Sequence, residues 1–179
     1  MKTKKKIEQK ANELLKMFNI DEVPIPLDKI AEGLKISIQE EKLEGDLSGV
    51  LIRDSDKTVI GVNSKHLPNR QRFTIAHEIG HFILHEGNPI HIDRTFRVNF
   101  RDKNSSLANS IEEIEANAFA AALLMPEKKL KQFYNKKLKE GIDFEHSDEL
   151  DSIAETFQVS KQALMIRLFK LGLIDDLGI

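Results

Sequence analysis

The sequence contains no cysteine. Disulfides and thiolate metal sites are therefore excluded, and histidine and carboxylate remain as the available transition-metal ligands. Long apolar runs are missing too: the longest, Ala118 to Met125, falls far short of the roughly 20 residues that cross a bilayer. Neither sign of charge dominates. Lysine and arginine number 27 against 29 acidic residues, for a net charge of −2, so the chain as a whole has no pull toward nucleic acid or an acidic membrane. The opening Met1–Lys6 is basic, but Ile7 to Lys16 is amphipathic rather than continuously apolar, which is not a secretory signal. Those lysines read as a solvated tail. Internal repeats and low-complexity linkers are also lacking. These absences predict a soluble cytoplasmic protein. Its 179 residues suffice for one domain, with or without a small appendage, and need no oligomer to bury a core.

Residues 5–18 carry Ile7, Ala11, Leu14, Leu15 and Phe18 at helical spacing, and Pro24 and Pro26 then impose an extended segment. Leu27 to Leu34 reads as a short helix closed around Gly33, followed by an alternating strand at Ile36 and Ile38. Gly49–Ile52 and Thr58–Val62 are β-rich runs joined by the polar Arg53–Lys57, which predicts an antiparallel hairpin. From Arg70 the period becomes helical until Gly87-Asn88-Pro89. Residues 88–106, with Arg94, Arg97 and Arg101 spaced through them, read as a long loop. Helices are expected from about Leu107 to Met125, stopped by Pro126, and at Leu130–Leu138. Leu150 to Leu173 reads as two short helices joined at Gln158-Val159-Ser160. The sum is an α+β fold in which a small antiparallel sheet packs on a helical core spanning 1–140, with a helix-turn-helix-like extension at 141–179. Residues 148–179 carry three basic side chains against six acidic ones, which argues against direct contact with nucleic acid.

The chemistry concentrates in His77-Glu78-Ile79-Gly80-His81. Two histidines four apart on a helix differ by about 40° around its axis, so both imidazoles can grip one ion. Glu78 lies beside that face, where it can reach a water on the metal without displacing it. Zinc brings the pKa of such a water to about 7 and polarises a peptide carbonyl, while the glutamate serves as base. His-Glu-x-x-His arises by chance in about one chain of this length in two hundred. Gly80 in the middle would let another segment approach the backbone. The bland reading is a pair of surface histidines on an amphipathic helix.

A catalytic zinc needs a third protein ligand and an open position. A third histidine ten positions after the first would serve, but that position is Gly87. His85 comes too early and suits a structural or helix-capping role. His91 is a reserve, and His66 and His146 are expected in solvent. The stronger source is the helix with Glu113, Ala116, Asn117, Ala120 and Leu124 on one stripe. Its alanines permit close packing, bringing Glu113 toward the metal and Asn117 toward a ligand histidine. Glu115 lies about 200° away from Glu113 and is expected to face solvent. Glu112 is nearer the stripe and stays an alternative to Glu113.

These residues carry a resemblance. Arg70–His81, then Glu113-Ile114-Glu115-Ala116-Asn117-Ala118-Phe119-Ala120-Ala121-Ala122-Leu123-Leu124-Met125-Pro126, then the Leu150–Leu173 pair resemble, in order, the ImmA/IrrE family of zinc metallopeptidases. The resemblance implies a zincin-like core of gluzincin type, with ligands His77, His81 and Glu113 and base Glu78. It further implies a cytoplasmic regulator that cuts a helix-turn-helix repressor encoded on a phage or other mobile element. The competing expectation is a non-proteolytic regulator that binds the repressor and keeps the metal site as a structural or vestigial feature. Arg94, Arg97, His85, His91 and Tyr134 are the candidates for stabilising the oxyanion. Two histidines and a carboxylate favour zinc, though such a set also accommodates Fe(II) or Mn(II).

Overall fold

The computed structural model describes residues 2–54, 57–85, 89–94, 111–139 and 149–175, with backbone alone at 93 and 94. Helix α1 (Lys4–Met17) begins where the Thr3 hydroxyl accepts a hydrogen bond from the Lys6 amide, and it buries Ile7, Ala11, Leu14 and Leu15 on one stripe. Helix α2 (Leu27–Gly33) follows the two prolines. Its left-handed residue is Lys35, at φ 58°, and not Gly33. Gly33 is needed for a different reason, since a Cβ there would overlap the Phe18 ring.

The sheet orders its strands β1-β3-β2-β4. Strands β2 (Leu47–Arg53) and β3 (Thr58–Asn63) form the expected antiparallel hairpin, with Leu51 opposite Ile60. Strand β1 (Ile36–Glu41) joins β3 in parallel, with Ile38 opposite Ile60, so the sheet is mixed. Hairpin signals report only strands adjacent in sequence, whereas β1 finds its partner beyond β2. On the other edge β4 (Ile90–Arg94) pairs antiparallel with β2, inside the stretch expected to be a loop. Its apolar residues, Ile90 and Ile92, number only two and are exposed, which is why alternation there was too short to register. The remainder of the expected loop, with Arg97 and Arg101, lies outside the described residues.

Helix α3 (Pro68–Leu84), with Pro68 at its first turn, lies on this sheet, and α4 (Ile111–Leu124) packs against α3. Helices α5 (Glu127–Lys139), α6 (Glu149–Phe157) and α7 (Lys161–Lys170) complete the α+β architecture. Ile60, Ile79, Phe119, Leu123, Phe157 and Leu164 belong to one buried apolar cluster that runs from sheet to C-terminal helices. Phe133 meets Phe157 edge to face, with ring centroids 5.4 Å apart. Among the described residues, no helix is long and apolar enough to cross a membrane.

Candidate metal centre

Two close approaches place α3. Beneath it, a Cβ on Gly49 of β2 would collide with the Thr74 methyl and come within 3.4 Å of Glu78 Oε1, so only glycine lets the strand lie this close. Against α4, a Cβ on Gly80 would stand 3.1 Å from the Ala116 carbonyl oxygen and 3.2 Å from the Phe119 ring. The close crossing expected from Gly80 and the alanine stripe is thus present. It sets His77 and His81 against Glu113 in the first turn of α4, while fully buried Glu78 lies on the β2 side. The end of α3 is held by Arg53 of β2, whose guanidinium donates to the carbonyls of His81 at 2.9 Å and His85 at 3.3 Å.

Four potential donors meet here, His77 and His81 from α3, Glu113 from α4 and His91 from β4, all with ligand atoms within 4.8 Å of one another. His77 Nε2 and His81 Nε2 are 3.0 Å apart, and each stands 3.3 Å from a Glu113 carboxylate oxygen. His91 Nε2 lies 3.4 Å from Glu113 Oε1, and its ring stacks on that of His81 with centroids 3.8 Å apart. Zinc held tetrahedrally at about 2.0–2.1 Å from each donor separates the donors by about 3.3–3.4 Å. His77, His81 and Glu113 therefore fit such an ion in spacing as well as in chemistry, and His91 shares that spacing toward Glu113.

Hydrogen bonds behind the donors fix which ring nitrogens face inward. Asn117 Oδ1 accepts from His77 Nδ1 at 2.8 Å, which leaves His77 Nε2 bare toward Glu113. Behind His81 runs a longer relay. Glu115 Oε2 accepts from His85 Nε2 at 3.1 Å, and in that tautomer of a neutral imidazole His85 Nδ1 accepts from His81 Nδ1 at 3.3 Å. His81 Nε2 is then also bare. Two bare nitrogens 3.0 Å apart repel unless a cation lies between them.

Glu115 thus overturns its solvent-facing expectation: it is 2% exposed. The helical wheel of α4 placed it correctly opposite the Glu113 stripe, but α1 packs on that opposite side. There the Lys2 backbone amide and ammonium both reach the Glu115 carboxylate, the latter at 3.1 Å. Burial pushes the Glu115 carboxyl up, yet the Lys2 and His85 hydrogen bonds outweigh it and bring the pKa down to about 2. His85 does occupy the C-cap position of α3, as its sequence place suggested, and its ring does the further work of the relay.

The remaining candidates separate. Glu112 is exposed, while Glu113 faces the histidines. His66 is half-buried rather than solvated, and His146 lies outside the described residues. Tyr134 is buried in the core from α5. Burial, reinforced by His77 and His91, drives His81 down to about 4 against the opposing pull of Glu113. Burial would raise the Glu113 carboxyl, but its contacts with His77 and His81 hold it far below the usual carboxylate range. Burial also lowers His91. At neutral pH neutral imidazoles therefore meet a carboxylate, a set that attracts a divalent cation.

Comparison with known proteins agrees with this geometry. A peptidase family model described as the IrrE N-terminal-like domain matches residues 31–169. The radiation response metalloprotease IrrE of Deinococcus radiodurans is 42% identical over 74 residues, which is 41% of this chain and 21% of that protein. Among solved structures, a Mycobacterium tuberculosis transcriptional regulator superposes with a TM-score of 0.55 at 20% identity, over 92% of this chain and 46% of that one. At that identity the likeness is one of fold. The chain spans about a fifth of the curated relative's length and under half of the solved structure's.

Proposed function

The chain belongs to the family of IrrE N-terminal-like domains, and on that premise we propose that it is a zinc-dependent metallo-endopeptidase. The observation that carries the reading is the meeting of His77, His81 and Glu113 at tetrahedral spacing, beside buried Glu78. In this proposal those three residues hold the metal, and Asn117 holds His77 in the ligating tautomer. Bound zinc supplies Lewis acidity, making a water acidic near neutral pH and polarising a peptide carbonyl. Glu78 takes the proton of the attacking water on a carboxylate oxygen and passes it to the leaving amide nitrogen. Its complete burial keeps bulk water from competing for that proton.

The proposed substrate is a helix-turn-helix repressor of a phage or mobile element, met in the cytoplasm. The resemblance to a regulatory peptidase family supports this choice, and the excess acidity of residues 148–179 supports a protein rather than a nucleic-acid partner. Residues 1–140 are proposed as the peptidase unit and 141–179 as its helical extension. Zinc-loaded protein incubated with the repressor encoded beside its gene should yield discrete fragments. Glu78→Gln should slow that cleavage about 10²–10⁴-fold while zinc stays bound. Cleavage at the wild-type rate in the variant would sink the mechanism.

One observation favours a second reading, the regulator that binds without cutting: His91 stands where a fourth donor would close the site, as in structural zinc centres. Under that reading Glu78→Gln leaves relief of repression intact.

A further inference from the structure

We propose that His91 is a fourth protein donor to the metal, so that the centre is closed in this conformation and the peptidase opens it by withdrawing His91. The inference rests on the metallopeptidase reading above and adds a built-in restraint to it.

Three observations converge. First, His91 Nε2 lies 3.4 Å from Glu113 Oε1, within the spacing of the His77 and His81 contacts to the same carboxylate. A residue that merely lay near the three donors would have no reason to share the donor spacing. Second, the strand register aims the side chain. His91 is directly opposite Leu51, which is fully buried, and cross-strand partners share a face of the sheet. Ile90 and Ile92 consequently point the other way, 57% and 51% exposed. Third, the four donors are anchored unequally. His77, His81 and Glu113 ride on two helices in close contact, with Asn117, His85 and Arg53 bracing the two imidazoles and the helix end. His91 rides on an edge strand bonded to β2 alone in the sheet, and no side chain of its own strand is buried beside it among the described residues. Of the four, it is the donor that can leave at least cost. A catalytic zinc needs one open position, and vacating His91 supplies it without disturbing the three rigid ligands.

Cobalt(II) substituted into the full chain provides the test, because each coordinated imidazole gives its own hyperfine-shifted, exchangeable N–H proton resonance. Wild type should show such signals from His77, His81 and His91, and His91→Ala should lack one of them. Zinc affinity, read by chelator competition, should fall at least about 10-fold in His91→Ala. Peptidase turnover by the zinc-saturated variant should rise. Two shifted imidazole signals in wild type, unchanged in His91→Ala, would overturn the proposal and leave the peptidase reading standing. Loss of activity with unaltered zinc affinity would overturn it as well, and would make His91 a group that contacts substrate. Failure of wild type to take up stoichiometric cobalt would instead remove the metallopeptidase reading itself. The wild-type spectrum decides the matter even if the variant does not fold.

Discussion

Glu115 shows how much one side chain can carry from behind a site. Its carboxylate is the last acceptor of the relay through His85 to His81, and it also binds Lys2. Glu115→Gln keeps an acceptor for His85 but removes the charge. Zinc affinity should fall about 10-fold, measured by chelator competition, because outer partners of ligand histidines have effects of that order. The same charge makes a pH prediction. A carboxyl lowered from 4.5 to about 2 by folding contributes stability that is fully present above about pH 4.5 and disappears as pH falls toward 2. Thermal melts of metal-free protein through that window should drop steeply for wild type and less steeply for Glu115→Gln. Equal slopes would show that Glu115 is not the titrating group. Sequence reasoning reached His77, Glu78, His81, Glu113 and Asn117 because each belongs to a helical face that one element's periodicity defines. Glu115 escaped it, and His91 stayed only a reserve, because their surroundings come from other elements, α1 for the first and the β2 ladder for the second.

At the scale of elements, the α3–α4 crossing does the positioning, and Gly80 is its contact point. Alanine is the better helix former by about 1 kcal/mol. Against that, its Cβ would press on the Ala116 carbonyl, backbone that cannot rotate away, and overpacking of this kind costs about 1–3 kcal/mol. Gly80→Ala should therefore lower the melting temperature modestly. It should weaken zinc binding more noticeably, since the helices it pushes apart carry different donors. Unaltered affinity with a lowered melting temperature would mean that the crossing distance does not set the site. The helices were legible because their apolar periods are long, as α1 and the motif helix illustrate. Strand β4 and the parallel placement of β1 were not, because pairing across sequence distance leaves little trace in a local pattern.

The molecule as a whole is tied by Arg167 of α7, 5% exposed, which donates to the Met125 carbonyl at 3.2 and 3.1 Å and pairs with Glu8 of α1. First and last helices are thereby fastened to the end of α4. Glu8→Ala strands a buried guanidinium on one carbonyl and should destabilise the fold by about 3 kcal/mol, read from urea unfolding. A loss under about 0.5 kcal/mol would show that the pair behaves as a surface contact. The span from His77 to Glu113 has a consequence of another kind. In a chain without cysteine, an ion gripped at both ends of that span acts as a removable staple. Because such an ion binds the folded chain and not the unfolded one, it stabilises the fold by mass action, by about 4 kcal/mol when free ion exceeds its dissociation constant roughly 1,000-fold. Chelation should consequently loosen the fold, and the melting temperature should track free zinc concentration.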